Sequence, residues 1–371
     1  LPHHQPSKIV SEQALRVASQ RWGAAAAAAA RPTVLDPRAP RGGYRAPGVH
    51  EGMQRHPANP ILTRAALPDL GGRMHDVSSV FNPGAIRIDD TTYLLLRVQT
   101  RGRETVWMLA ESPDGERFTV RPKLLTIEGL EDLSAPVHHA YDARLTRVDG
   151  VIYALFAVDT DAGCHLAVAR TDDLERYEVI GVDSSAEKRN GVLFPTRWDD
   201  HYWRIERPNA GAADGSTFSG DKMQLARSKD LVTWTVTGTL ADGRWHYWDE
   251  RLGSGPPPFR VAEGWLHVYH GIATHGAGAD LYQAGVLLLD AEDPSVVLGR
   301  SRENILEPRE LYEHVGQVPN VVFPSGLVID GHEPHEVAAP DAQVRIYYGA
   351  ADTCIGLATT TPAALLAACR D

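Results

Sequence analysis

The segments DDTTYLLLRV (residues 89–98) and VWMLAESPDGERF (106–118) decide the fold of this chain. Aromatic and aliphatic residues alternate with period two in both, which is typical of half-buried strands, and the Asp-Asp and Asp-Gly pairs favour hairpin turns. Four further copies of this two-strand unit follow, at residues 148–158 with 164–177, 198–208 with 223–234, 262–272 with 282–297, and 344–350 with 355–362. Each copy predicts one small antiparallel meander.

A lone meander of this size cannot bury both of its faces, whereas repeated meanders can stack radially so that each covers the next. Five units therefore predict an all-β fold, a five-bladed β-propeller that spans residues 59–371. The pattern [LV]-A-x-[ST]-x-D recurs in the first three units, which favours true repeats. A β-sandwich whose turns are similar by coincidence is the alternative fold.

Composition narrows the class of ligand. The 371 residues carry a formal net charge of −11, with a pI near 5.8, and nucleic-acid binding instead draws on dense Lys and Arg contacts to phosphates. No run approaches the roughly 18 to 20 apolar residues of a membrane-spanning helix. We therefore expect neither a nucleic-acid nor a membrane partner, and a small oligosaccharide is the favoured ligand.

Residues 1–58 form a segment of different character. SEQALRVASQRWG (11–23) is permissive for a helix, and a Pro/Arg/Gly-rich stretch follows seven consecutive alanines. We predict an N-terminal helix and extended arm, which is long enough to clasp a neighbouring subunit in a possible homo-oligomer. No charged-then-apolar leader opens the sequence, so a cytoplasmic location is favoured, with export left open.

Polar residues interrupt the strand alternation once or twice in each unit, as expected if every blade sends side chains into one axial pocket. Carboxylates, Asn, His and Arg in these stretches bond hydroxyl groups, and Trp and Tyr stack on the apolar faces of sugar rings. The stretches are VFNPGAI (80–86), YDAR (141–144), RNGVLFP (189–195), IERPN (205–209), WDERLGSGPPP (248–258), VYHG (268–271), VPNVVFPSG (318–326) and YYGAADT (347–353).

These motifs, together with GWLHVYHG (264–271), YQAGVLLLDAEDPS (282–295) and ILEPRELYE (305–313), resemble glycoside hydrolase family 130 in their order, from about residue 59 to residue 361. The resemblance implies a five-bladed propeller that acts on β-mannosides, either by phosphorolysis or by hydrolysis. It also implies that no metal and no organic cofactor is used, with inorganic phosphate as co-substrate in a phosphorylase.

The resemblance implies that Asp142 is the acid, whose proton reaches the glycosidic oxygen through a sugar hydroxyl. The family motif reads roughly E-D-P-R, whereas this chain has Tyr141 and Ala143 in place of Glu and Pro. These departures affect loop shape and contacts to the leaving sugar. By position in the motifs, the predicted substrate-binding residues are Asn82, Arg97, Arg144, Asn190, His270 and Asp352.

The choice of nucleophile depends on the third and fourth units. Phosphorylases of the family resemble N-K-D-A-x-L-F-P followed by L-H-R-P, with the Lys and His among the phosphate ligands, but here Glu206 stands where that His would be. A carboxylate repels phosphate and suits the activation of water. We therefore expect inverting hydrolysis, with Glu206 as base and Glu250 as the second candidate.

Two other functions remain open. The cations Arg189, Arg207 and Arg251 are available to hold phosphate, which gives a β-mannoside phosphorylase that releases mannose 1-phosphate. The altered residues around Asp142 also allow a propeller that binds carbohydrate without catalysis, because a fold alone does not guarantee chemistry.

Overall fold

The computed structural model describes residues 52–133, 135–209, 220–274 and 280–370. The predicted N-terminal helix, at residues 11–23, lies outside these residues. In chain order, the described strands are β1 (Gln54–Arg55), β2 (Ser79–Ile88), β3 (Thr91–Gln99), β4 (Thr105–Ser112), β5 (Thr119–Val120), β6 (Thr126–Glu128), β7 (Val137–Val148), β8 (Val151–Thr160), β9 (Gly163–Thr171), β10 (Arg176–Asp183), β11 (Lys188–Trp198), β12 (His201–Pro208), β13 (Lys222–Ser228), β14 (Thr235–Asp242), β15 (Arg251–Ser254), β16 (Phe259–Val261), β17 (Gly264–Thr274), β18 (Asp280–Leu289), β19 (Val297–Arg300), β20 (Val322–Ile329), β21 (Val344–Ala350) and β22 (Cys354–Thr360). Two short helices, α1 (Leu311–His314) and α2 (Pro362–Ala368), flank the last blade.

These strands form five small sheets arranged as a five-bladed β-propeller, which confirms the predicted fold. The blades run outward as β2-β3-β4-β5, β7-β8-β9-β10, β11-β12-β13-β14, β15-β17-β18-β19 and β20-β21-β22-β1. β6 adds to the outer edge of the second blade in parallel with β10, and β16 pairs with β17 in the fourth. Around the ring, β2 contacts β7, β7 contacts β11, β11 contacts β15, β17 contacts β20, and β20 contacts β2.

The first strand of the described chain completes the last blade. Gln54 and Arg55 of β1 pair in antiparallel fashion with Thr359 and Ala358 of β22. Both residues precede the predicted domain boundary at residue 59, so the propeller includes residues that the sequence pattern assigned to the arm. Among the described residues, every helix is too short or too polar to cross a membrane.

The hydrophobic core consists of clusters that lie between successive blades. Leu94 and Leu96 pack towards the last blade with Val328, whereas Leu95, on the opposite face of β3, packs towards the second blade with Phe156. Because both faces of a middle strand are covered, the run of three leucines in DDTTYLLLRV is buried throughout. Radial stacking therefore stabilises each blade through its neighbours.

The recurring [LV]-A-x-[ST]-x-D pattern forms the same turn in the first three blades. In each turn the Asp carboxylate accepts the main-chain N–H groups two and three residues further on, at 2.8–2.9 Å. The hydroxyl of the preceding Ser or Thr donates to that carboxylate. Short polar side chains that bond to nearby main-chain groups in this way favour turns. The residues are Ser112 with Asp114, Thr171 with Asp173, and Ser228 with Asp230.

Candidate active site

One cavity of about 390 Å³ is lined by residues from all five blades, so it lies at the centre of the ring. Polar and aromatic side chains dominate its wall, as expected for a site that binds a small polar ligand. The lining residues are Asn82, Arg97, Gln99, Arg103, Thr105, His139, Tyr141, Asp142, Asp159, Arg189, Asn190, Arg207, His270, Tyr282, Val318, Val321, Phe323 and Asp352.

A β-bulge that recurs in three innermost strands places three of these side chains in the cavity. The innermost strands β2, β7 and β11 each contain a register shift, and within it Asn82, Asp142 and Asn190 have φ values of 46°, 55° and 53°. Asn and Asp tolerate this left-handed conformation better than most residues. A bulge redirects the side chain at the point where strand pairing is interrupted. The three polar side chains therefore line the central cavity together.

Asp142 lies in a cationic environment. Its Oδ1 accepts a hydrogen bond from Arg97 at 2.8 Å and another from the Asn82 amide at 3.0 Å. Burial alone would raise the pKa of Asp142, but the charges of Arg97 and Arg144, with these hydrogen bonds, outweigh burial and lower the pKa below its usual value. In the free protein the carboxyl group is therefore ionised at neutral pH.

Arg144 is fully buried and is not among the residues that line the cavity. Its Nε donates to the main-chain oxygen of Gly255 at 3.2 Å, and a terminal nitrogen donates to the main-chain oxygen of Asp142. Burial lowers the pKa of Arg144 to about 10, against the attraction of Asp142. The structure thus gives this predicted substrate ligand a different position, behind the wall, where it holds the backbone of Asp142.

Two glycines leave room for the side chains of Asn82 and His270 in the cavity wall. A Cβ atom on Gly349 would lie 1.9 Å from Oδ1 of Asn82, and one on Gly253 would lie 2.6 Å from the ring of His270. Because real Cβ contacts are never this short, both positions require glycine for the observed packing. Gly349 of the YYGA motif therefore leaves space for Asn82, and Gly253 of the LGSG motif leaves space for His270.

His270 is a buried neutral imidazole beside aromatic rings. Its ring lies 4.5 Å from that of Phe323 and 6.1 Å from that of Tyr282. Burial, together with the positive charge of Arg207, holds the pKa of His270 well below its usual value. Both ring nitrogens are buried without a close hydrogen-bond partner among the described residues, although the main chain of Ser254 lies near enough to oppose part of the lowering of the pKa. A ligand hydroxyl group could therefore bond to the nitrogen that does not face Ser254.

Asp352 reaches the cavity from the turn between β21 and β22, where its φ is 50°. Burial raises the pKa of Asp352 to about 6, with the charge of Asp142 adding to the rise and that of Arg97 opposing it. The group is therefore a carboxylate at pH 7 and largely a neutral acid at pH 5. Because burial disfavours the charged form, the ionised carboxylate of Asp352 lowers the free energy of unfolding.

We expect Asp352→Asn to stabilise the fold at neutral pH. Since the folded pKa of about 6 exceeds the usual 3.8, stability falls as the pH rises from about 4 to 6, and the ionised group costs up to about 3 kcal/mol above that range. Asn tolerates the same left-handed backbone and carries no charge. Thermal unfolding should show a higher melting temperature for Asp352→Asn at pH 7.5 and little difference near pH 4. Equal melting temperatures of the two proteins at pH 7.5 would show that the buried charge of Asp352 does not destabilise the fold.

Arg189 and Arg207 form a cationic wall of the cavity. They are register partners on β11 and β12, and the Nε of each is buried without a hydrogen-bond partner among the described residues. Burial, with the positive charge of Arg189 as the next cause, lowers the pKa of Arg207 to about 10. Two neighbouring guanidinium groups that face a cavity form a site suited to an anion such as phosphate.

Glu206, the predicted base, is fully buried and does not line the cavity. Along β12, successive side chains point to opposite faces, so Glu206 points away from the face of Arg207. Its Oε2 accepts from Nε of Arg204 at 2.6 Å, and its Oε1 lies 3.4 Å from Nζ of Lys188. Lys188 and Arg204 also pair with Asp183. Glu206, which stands where phosphorylases of the family have His, therefore belongs to a buried ion cluster.

Glu250 and Arg251 also lie outside the set of residues that line the cavity. Glu250 is half-buried at the end of the segment before β15, where its main-chain N–H donates to the oxygen of Tyr247 at 3.3 Å. Arg251 is paired with Asp280. Of the predicted phosphate ligands, the structure therefore brings Arg189 and Arg207 together in the cavity but not Arg251.

Sequence reasoning did not select several lining residues, among them Tyr141, Asp159, Tyr282 and Phe323. In the sequence, Tyr141 stands out only as a departure from the family motif, and Phe323 belongs to the polar stretch VPNVVFPSG (318–326) without a role of its own. Asp159 lies opposite His139 across β7 and β8, a register that the bulge in β7 determines. Among the described residues, no group of three or more His, Cys, Asp or Glu side chains could hold a metal ion.

The fold and the site define a class: a five-bladed β-propeller whose axial cavity combines a carboxylic acid, amide and imidazole groups, aromatic faces and a cationic wall. A family model described as beta-1,4-mannooligosaccharide phosphorylase, that of glycoside hydrolase family 130, matches residues 52–371. The chain belongs to glycoside hydrolase family 130, as the sequence motifs indicated.

Three known proteins show the range of similarity. The β-1,4-mannooligosaccharide phosphorylase of Ruminococcus albus is 29% identical over 318 residues, which cover 83% of this chain and 88% of the relative. The solved structure of β-1,2-mannobiose phosphorylase from Listeria innocua, in complex with β-1,2-mannobiose, has a TM-score of 0.72 and 23% identity, with coverage of 86% and 99%.

A further solved structure has a TM-score of 0.70 and 20% identity, and covers 84% of this chain and 94% of its own. Its description states that the GH130 family of mannoside phosphorylases contains glycoside hydrolases that target β-1,2-mannosidic linkages in Candida mannan. Both structures show a common fold with this chain.

Proposed function

We propose that this protein is a β-mannoside phosphorylase, in preference to the hydrolase expected from Glu206. The observation that carries the proposal is the pair of guanidinium groups of Arg189 and Arg207 on the cavity wall, each with a buried Nε that has no hydrogen-bond partner among the described residues. Glu206, the residue that favoured water over phosphate, points to the opposite side of β12 and is neutralised by Arg204 and Lys188. The phosphorylase relative of Ruminococcus albus supports the same reaction.

In the proposed reaction a terminal β-mannosyl unit binds among Asn82, Asn190, His270 and Asp352. A phosphate oxygen, held by the cationic wall, attacks the anomeric carbon while the bond from that carbon to the leaving oxygen breaks. The attack occurs on the opposite face, so the product is α-mannose 1-phosphate. No cofactor enters the reaction, and phosphate is consumed as co-substrate.

Asp142 supplies the proton for the leaving oxygen, by way of a sugar hydroxyl in the route that the family resemblance implies. The free carboxyl group is ionised at neutral pH because Arg97 and Arg144 lower its pKa. A bound sugar excludes water from the carboxylate, which raises its pKa and favours the protonated acid. Proton uptake is therefore coupled to sugar binding.

The phosphate requirement tests the proposal. β-1,4-Mannobiose, β-1,2-mannobiose and β-1,4-mannosyl-glucose are incubated with the protein in phosphate buffer and in a phosphate-free buffer of equal ionic strength. We expect mannose 1-phosphate in phosphate and negligible turnover without it. Release of free mannose at equal rates in both buffers would instead show hydrolysis.

Hydrolysis is the second candidate, and one observation favours it. Asp159 and Asp352 line the same cavity as Asp142 and are carboxylates that could activate a water molecule. An inverting hydrolase needs its two carboxyl groups about 6.5–9.5 Å apart on opposite faces of the sugar. If free mannose is released, Asp159→Asn and Asp352→Asn identify which carboxylate acts as base.

A further inference from the structure

Arg97 lies between two aromatic rings at the cavity wall. Its guanidinium carbon is 4.4 Å from the ring centroid of Phe81 and 4.7 Å from that of Tyr141. Phe81 is the register partner of Arg97 on β2, whereas Tyr141 belongs to β7 of the next blade. The guanidinium group thus bridges two blades, and each ring makes a cation–π contact with it.

The hydrogen bonds of Arg97 do not by themselves fix its plane. One terminal nitrogen donates to Oδ1 of Asp142 at 2.8 Å, and the buried Nε has no partner among the described residues. A single contact permits rotation about its axis, unlike the two parallel bonds of a bidentate pair. The flanking rings therefore determine the direction from which Arg97 meets the Asp142 carboxylate.

The ring of Tyr141 is itself held in place. Its hydroxyl donates to Oδ1 of Asp159 at 3.0 Å and lies 3.5 Å from the sulfur of Cys164. The side chain is buried apart from the face that lines the cavity. A buried ring bonded at its far end has little freedom to turn, so it can act as a rigid support for Arg97.

We infer that Tyr141 is a positioning residue, which holds the Arg97 guanidinium against the Asp142 carboxylate at the place where the family motif has Glu. The inference rests on the proposed role of Asp142 as acid. A carboxylate at position 141 would compete with Asp142 for the charge of Arg97, whereas an aromatic face attracts the guanidinium without accepting a proton. This chain therefore keeps its acid oriented by ring stacking.

Two variants of Tyr141 separate the ring from its hydroxyl group. Tyr141→Phe keeps the stack and should retain kcat within a few-fold of the wild-type value. Tyr141→Leu removes the ring and should lower kcat about 10–100-fold, because small misplacements of an acid cost this much. The KM for the mannoside should change less than kcat. A fall in kcat for Tyr141→Phe equal to that for Tyr141→Leu, or an unchanged kcat in Tyr141→Leu, would overturn the inference.

A double-mutant cycle with Arg97→Lys asks whether Tyr141 acts through Arg97. Lys keeps the positive charge but cannot present a planar group between two rings. If the ring acts by holding the guanidinium, Tyr141→Leu should lower kcat little further in the Arg97→Lys background, so the two effects should not add. Additive losses of kcat would show that Tyr141 contributes independently and would reject the positioning role.

The pH profile provides a readout that a purely structural role would not change. Asp142 faces Arg97 from the first blade, Asn82 on β2 and Arg144 on its own strand. The charges of Arg189 from the third blade and of Asp352 from the last blade also act on it. Tyr141→Glu adds a carboxylate to this set and draws on Arg97, so the transition of kcat/KM that follows Asp142 should move to higher pH, whereas Tyr141→Phe should leave it in place. An unmoved profile in Tyr141→Glu would contradict the inference. The proposed function is tested by the phosphate requirement and by Asp142→Asn. An unmoved profile in Tyr141→Glu would therefore reject the positioning role of Tyr141 and leave the proposed function standing.

Discussion

Replacing Asp142 by Asn should lower kcat for every cleavable mannoside by about 10²–10⁴-fold, the usual contribution of a positioned general acid. Asn has the size and shape of Asp and tolerates the φ of 55° at this bulge. It can still accept hydrogen bonds from Arg97 and remain beside Asn82, but it carries no transferable acidic proton. The sugar pocket should therefore survive while proton donation is lost.

The measurement is steady-state turnover with phosphate, followed by the binding of β-mannobiose to the inactive variant by calorimetry. Asp149→Asn is a matched control, because Asp149 also has a left-handed backbone, with φ of 50°, but lies in the turn after β7. We expect the control to keep wild-type kcat. Near-normal turnover by Asp142→Asn would refute the assignment of the acid, and binding without turnover by the wild-type protein would favour a carbohydrate-binding propeller.

Replacing Arg207 by Gln should lower kcat/KM for phosphate about 10–100-fold, because a charge-assisted hydrogen bond contributes about 1.5–3 kcal/mol. The loss should appear as a higher KM for phosphate. The fold should tolerate the change, since Arg207 is buried beside a like charge, Arg189, and its removal relieves that repulsion. Gln keeps a polar end group that can still bond to a sugar or to water.

A matched control is Arg227→Gln on the neighbouring strand β13, where Arg227 is exposed and stacks over the ring of Trp203. Initial rates over a range of phosphate concentrations, with mannoside held at saturation, give the KM for phosphate for both variants. The control should match the wild-type protein. If Arg207→Gln left the phosphate dependence unchanged, the cationic wall would have another role and the phosphorylase proposal would lose its main support.

Much of the site could be predicted because it is built from local motifs. Asn82, Asp142 and Asn190 each sit in a short polar interruption of a strand, and the structure places all three in the cavity. The residues that sequence reasoning placed differently, such as Glu206 and Arg144, lie within one or two positions of a lining residue. In a strand, a shift of one residue moves a side chain to the opposite face.

A bulge is the reason for the difference at Arg144, which follows the register shift in β7, whereas Glu206 lies on β12, whose pairing with β13 is regular. Each register shift adds residues to one strand only, so the alternation before the bulge does not continue after it. From the letters alone, Glu206 and Arg207 are equally good candidates for the cavity wall. The buried partners Arg204 and Lys188, which decide between them, come from a contact that sequence spacing does not reveal.

Local alternation, turn chemistry and short ordered motifs were enough to predict the number of blades, the family, and the positions of the carboxyl and amide groups that line the cavity at Asp142, Asn82 and Asn190. The tertiary structure decided which charges face the cavity and which neutralise one another behind it. It alone revealed that Tyr141 stacks on Arg97, since the two residues come from different blades. Strand pairing fixes a side chain's face only after the register is set, and radial packing then selects its neighbours.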